Sequence, residues 1–137
     1  MELVVDTNIM FSFFWEKSVT KKLLIDQDMH LFAPEFALEE IKKYEREIIR
    51  KTGLSKKEFD FARTELAISI KFIPLKDYQE FLKKALQVSP DENDIDFFAL
   101  SLKLKIPIWS NDLELKKQSQ ISVVSTKEVI KDKLLEE

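Results

Sequence analysis

Four segments of the chain set a carboxylate beside a short apolar run: Val4-Val5-Asp6, Leu38-Glu39-Glu40-Ile41, Asp94 ahead of Phe97-Phe98-Ala99-Leu100, and Ile108-Trp109-Ser110-Asn111-Asp112. Acids in apolar company are costly unless something compensates their charge. Four converging carboxylates would repel one another until Mg²⁺ or Mn²⁺, which prefer oxygen ligands, neutralised them. One or two ions held that way could activate water for in-line attack on a phosphodiester and stabilise the leaving oxygen, with no side-chain nucleophile. Residues for other chemistries are scarce. The chain has no Cys, which excludes disulfides and thiolate metal sites. Its single His, His30, speaks against a His-rich zinc site or a His-based triad.

Composition agrees with a folded enzyme-sized domain. At 137 residues, with 45% hydrophobic residues and 34% charged, the chain has the make-up of one ordinary globular domain spanning 1–137. A single Gly and four Pro argue against a turn-rich β-sandwich. No apolar run approaches the roughly 20 residues that span a bilayer, and no secretory leader pattern opens the chain, so the default expectation is no membrane and a cytoplasmic location. The net charge of −3 gives no bulk basic surface for nucleic acid. Its distribution is uneven: from Lys42 to Arg63 eight basic residues face four acids, a local excess of +4. That run reads either as a solvated helical face or as a phosphate-contacting rim around an acidic site, whose binding would weaken with salt.

The elements that must position the acids follow from periodicity. Apolar, β-branched runs alternate with longer helical patterns, which predicts strand–helix units wound into a parallel sheet. Leu3–Val5 form the first strand, a helix or two follows through Ile9–Asp26, and Met29–Ala33 form the second. Pro34 opens a helix from about Glu35 to Arg50, with Ala37, Ile41, Tyr44 and Ile48 on one side, closed by Gly53. Ser55 and Glu58 make a capping-box pattern for a helix carrying Phe59, Ala62, Leu66 and Ile70. Lys71–Pro74 is a weaker strand, and a helix through Tyr78 and Ala85 precedes the acidic cluster Asp91–Asp96. That cluster begins a helix apolar over most of its circumference. Ile106–Trp109 and Ile121–Val124 are the last strands, and Ser125 or Thr126 caps a terminal helix.

In open parallel sheets, ligands bind beyond the carboxyl ends of the strands, where strand order reverses. Asp6 and Asp112 both sit at strand tips, in the polar triplets Asp6-Thr7-Asn8 and Ser110-Asn111-Asp112. Thr7, Asn8, Ser110 and Asn111 can bond the carboxylates, hold metal-bound waters or cap the next helix. Asp94 begins the apolar helix, where an acid also suits the helix dipole. Asp91 is one turn away and can share its face, whereas Asp96 lies about 200° round the helix. Glu39 and Glu40 are adjacent, and helical geometry alone admits either.

Together, Val4-Val5-Asp6-Thr7-Asn8, Pro34-Glu35-Phe36-Ala37-Leu38-Glu39-Glu40-Ile41, Asp94 with Phe97-Phe98-Ala99-Leu100, and Trp109-Ser110-Asn111-Asp112 resemble the PIN-domain family over nearly the whole chain. The resemblance implies a three-layer α/β/α sandwich with a central parallel sheet and a metal-dependent nuclease activity. It implies an acidic quartet of Asp6, Glu40, Asp94 and Asp112 as catalytic and metal-binding residues. Glu40 is preferred because the family's acid directly precedes an aliphatic residue. Thr7, Asn8, Ser110 and Asn111 would be supporting residues, with Asp91 and Asp96 as local extras of open role. The helix from Ser55 to Ile70 departs from the pattern, as a substrate rim or a subunit contact.

The expected reaction is endonucleolytic hydrolysis of single-stranded RNA with Mg²⁺ or Mn²⁺, by a toxin ribonuclease of a toxin–antitoxin pair or an RNA-processing enzyme. A homodimer and an antitoxin partner are further expectations of that analogy. Two competitors differ in class. A receiver-like phosphoacceptor domain shares the length and strand-tip acids but wants paired acids after the first strand. A non-catalytic binding module on the same fold would need no metal. Trp109 reads as core, and Trp15 as core or interface.

Overall fold

The computed structural model describes residues 1–15 and 17–136. Its sheet is built where the sequence is richest in buried aliphatics: β1 (Glu2–Val5), β2 (His30–Pro34), β3 (Ile70–Ile73), β4 (Ile108–Trp109) and β5 (Val123–Val124). All pairings are parallel, in the order β3-β2-β1-β4-β5. Strand β1 lies at the centre, with Leu3, Val4 and Val5 all buried, as a strand covered on both faces requires. Helices complete a three-layer α/β/α sandwich around it. This order differs from the 2-1-3-4-5 order of receiver-type domains, which removes the phosphoacceptor alternative on topology.

The helices are α1 (Thr7–Phe11), α2 (Val19–Leu24), α3 (Phe36–Lys43), α4 (Glu45–Thr52), α5 (Lys56–Ser69), α6 (Leu82–Val88), α7 (Ile95–Leu104) and α8 (Thr126–Glu136). Helix α7 is the internal one: Phe97 to Ser101 are all buried, and it packs on β1, β2 and β4. It ends at Lys105, which takes the left-handed conformation with φ 59°. The Ser55 capping box forms as expected, with Ser55 accepting from the Glu58 N–H and Glu58 accepting from the Ser55 N–H. Ser125 and Glu128 make the same reciprocal pair at the start of α8. Trp109 is fully buried, its indole N–H donating to Thr126 Oγ1 at 3.0 Å.

Expectations are corrected at three places. The helix expected through Tyr78 and Ala85 begins only at Leu82, because Tyr78 (φ −128°, ψ 0°) separates two 3₁₀ turns, Leu75–Asp77 and Gln79–Phe81. Pro34 closes β2 rather than opening a helix, because its carbonyl end still runs in register with Ile73. The single helix expected from Glu35 to Arg50 is two, α3 and α4. The chain leaves helical geometry at Tyr44 (φ −95°, ψ 12°), whose N–H is shared among the last carbonyls of α3. The buried positions Ile41 and Ile48 keep their spacing across the break, so the apolar stripe carries no sign of it. Gly53 does terminate α4, at φ 76°.

Candidate active site

Strand order reverses between β1 and β4, with β2 and β3 added on one side and β5 on the other. That is the crevice where parallel sheets bind ligands. Asp6 leaves β1 there, 4% exposed, and caps α1 by accepting from the Ile9 N–H at 2.9 Å. Ser110 leaves β4 beside it, 1% exposed. Its hydroxyl is hydrogen-bonded to the Asp6 carboxylate and accepts from the Asp112 N–H at 3.1 Å. One buried hydroxyl thus links the two strand-tip acids. Asp112 itself is exposed and starts a 3₁₀ turn by accepting from the Glu114 N–H at 3.0 Å.

Helix α3 runs alongside α1, and its Glu40 is half-buried whereas Glu39 is exposed. The Thr7 hydroxyl donates to Glu40 Oε2 at 3.5 Å, so of the two glutamates Glu40 faces Asp6's helix. Asp94 is half-buried at the entry to α7. Asp91 caps the preceding 3₁₀ turn through the Asn93 N–H. Asp96 points elsewhere, accepting a 2.5 Å hydrogen bond from the buried Tyr78 hydroxyl. Asn8 is exposed, and Asn111 turns to α8, where its side chain accepts from the Thr126 N–H at 2.8 Å. Of the four polar neighbours, Thr7 and Ser110 therefore touch the acids, while Asn111 serves as a cap for α8.

Electrostatics show how closely the acids are gathered. Burial pushes the Asp6 carboxyl up to about 6, and the nearby Asp112 charge adds to that rise, against the opposing hydrogen bonds of Ser110 and Ile9. Asp94 is also pushed up to about 6, first by burial and then by the charges of Asp6, Asp91, Asp112 and Glu40. The three other acids expected at the site therefore all act on Asp94. Among the described residues no three acids or histidines are drawn together tightly enough to hold an ion as they stand. The donor set nonetheless suits a hard divalent cation, which takes oxygen ligands and relieves this repulsion. The four acids fit such an ion by the chemistry of their oxygens.

Sequence reasoning missed the pairing of Tyr78 with Asp96. With Glu35, Phe36, Glu39 and Leu75 the two line a separate cleft of about 430 Å³. Desolvation, and then Asp96, raise the Tyr78 phenol above its usual range. The helical angle between Asp94 and Asp96 was the available signal for their separation; Tyr78 itself gave none.

A strand-tip acid at the switch point, a second on the neighbouring tip and two more from α3 and α7 thus mark one end of an α/β domain. The PIN-domain family model matches residues 4–132, and the chain belongs to that family. Its members are in general nucleases that use divalent metal ions. No curated protein matches the sequence. Among solved structures, the fold is similar to a chain of VapBC2 from Rickettsia felis, crystallised bound to a DNA fragment from their promoter. The TM-score is 0.61 at 14% identity, over 91% of this chain and 98% of that one.

Proposed function

We propose that this protein is an endoribonuclease that hydrolyses phosphodiester bonds of single-stranded RNA with Mg²⁺ or Mn²⁺ held by Asp6, Glu40, Asp94 and Asp112. The observation that carries this reading is the convergence of acids from four separate segments at the switch point, within the family match over residues 4–132. A divalent cation bound there would supply an activated water and charge neutralisation at the reacting phosphate. The chain's own part is positional. Ser110 fixes Asp6 and the backbone of Asp112, Thr7 fixes Glu40, and the Ile9 N–H holds one oxygen of Asp6. Phe97 and Phe98, buried in the first turn of α7 after Asp94, anchor that helix in the core.

The setting we propose is the toxin of a toxin–antitoxin pair or an RNA-processing nuclease, acting in the cytoplasm as a homodimer. The family membership and the fold likeness to a VapBC2 chain support the first, with an antitoxin as protein partner. Among the described residues no helix is long and apolar enough to cross a membrane. The test is cleavage of single-stranded RNA by the purified protein. We expect activity with Mg²⁺ or Mn²⁺, none in excess chelator, and a loss of at least about a hundredfold in Asp6→Asn, the scale of removing one preorganised electrostatic group. Full activity in that variant would sink the reading.

A further inference from the structure

Helices α1 and α3 touch at two successive levels. At the first, Thr7 meets Glu40. At the second, four residues on in both helices, Phe11 meets Tyr44 edge to face, with ring centroids 5.7 Å apart. The Tyr44 N–H donates to the Glu40 carbonyl at 3.2 Å, which sets Tyr44 one helical turn, about 6 Å, beyond Glu40. Tyr44 is 42% exposed, unusual for an aromatic ring on an otherwise apolar stripe.

Its surroundings are basic. The Lys43 ammonium lies over the Tyr44 ring at 5.9 Å from the centroid, at the outer limit of cation–π attraction. Among the described residues no carboxylate lies within ion-pair distance of Lys42, Lys43 or Arg46, whereas Lys51 and Lys56 are paired with Glu47 and with Glu45 and Asp60. Lys42, Lys43 and Arg46, the residues flanking Tyr44, therefore keep their charge uncompensated among the described residues, as Arg50 does further along α4. The helix break at Tyr44 ends α3 at the ring, with Lys43 just before it and Arg46 in the first turn of α4.

An exposed aromatic beside unpaired cations is the arrangement by which single-stranded nucleic acid is bound, bases stacking on the ring and phosphates meeting the cations. We infer that Tyr44, supported by Phe11 and with Lys43 beside it, is a base-stacking subsite for the nucleotide next to the scissile phosphate of single-stranded RNA. This rests on the nuclease reading of the neighbouring acids. Stacking is tolerant of base identity because every base has a π-face, so the subsite places the strand without selecting a sequence.

The test is equilibrium binding of a fluorescein-labelled single-stranded oligoribonucleotide in the Asp6→Asn background, where the strand stays uncut, read by anisotropy. Tyr44→Ala should weaken binding about tenfold, Tyr44→Phe should bind within twofold of the parent, and Lys43→Gln should lower the salt dependence of binding. With Asp6 intact, Tyr44→Ala should raise KM by the same factor and leave kcat within about twofold. Unchanged binding in Tyr44→Ala would overturn the inference, as would Tyr44→Phe matching Tyr44→Ala, or an oligonucleotide that does not bind at all. Failure of cleavage with Tyr44-dependent binding retained would remove the nuclease reading and leave the subsite standing.

Discussion

Asp6 is asked to do two things that conflict. As a helix cap in a dry pocket it is held by Ile9 and Ser110, yet burial raises its carboxyl from the usual 3.8 to about 6. The metal-free protein therefore bears a charge that it would rather lose above pH 6. A two-unit shift corresponds to about 3 kcal/mol, and its sign is fixed by linkage. The native state binds more protons than the unfolded chain between about pH 4 and 6, so stability falls as pH rises through that window and the penalty is complete above it. Asp94 works in the same direction. Asp6→Asn keeps an oxygen for the Ile9 N–H while removing the charge. Thermal melts of the metal-free protein at pH 7.5 should show it more stable than the parent by about 1–3 kcal/mol, with little difference at pH 4. A variant less stable at both would contradict the burial argument. Protons and metal compete for the same oxygens, so Mn²⁺ affinity, measured by calorimetry, should drop as pH falls through about 6.

At the scale of elements, the parts that were legible in the sequence are those with a single dominant signal. The buried runs Leu3–Val5 and Phe97–Leu100 read directly as a central strand and an internal helix. The Ser55–Glu58 box and Gly53 marked helix ends because capping chemistry needs those residue types. The break at Tyr44 was not legible: no Gly or Pro marks it, and the apolar spacing runs straight through. Strands β4 and β5 are two residues each, shorter than the runs Ile106–Trp109 and Ile121–Val124 suggest, since hydrophobicity records burial rather than ladder pairing. Of the site, the strand-tip acids were readable from position. Glu40 was chosen over Glu39 by family likeness, because choosing needs α1 as a reference and a lone helix has none. Gly53 offers a check at this scale. No atom lies within 4 Å of where a Cβ would sit, so Gly53→Ala should cost only its left-handed backbone, about 1 kcal/mol. A melt lowered by a few degrees with cleavage unchanged is the expected outcome.

For the whole molecule, the switch point gathers acids from four separate segments while the net charge stays at −3. The local excess of basic residues lies along α3, α4 and α5, so RNA binding there should weaken steeply between 50 and 200 mM salt. A titration that is flat over that range would mean this stretch is only solvated surface. An ion bound by the folded chain and not by the unfolded one stabilises it, so saturating Mn²⁺ should also raise the melting temperature, and chelator should return it. The central claim is that four carboxylates, scattered in sequence, form one metal site. A crystal soaked in Mn²⁺ and measured at a wavelength where manganese scatters anomalously tests it most directly. An anomalous peak within about 2.5 Å of oxygens from Asp6, Glu40, Asp94 and Asp112 is the predicted result. No peak at that cluster, with manganese bound elsewhere or not at all, would contradict it.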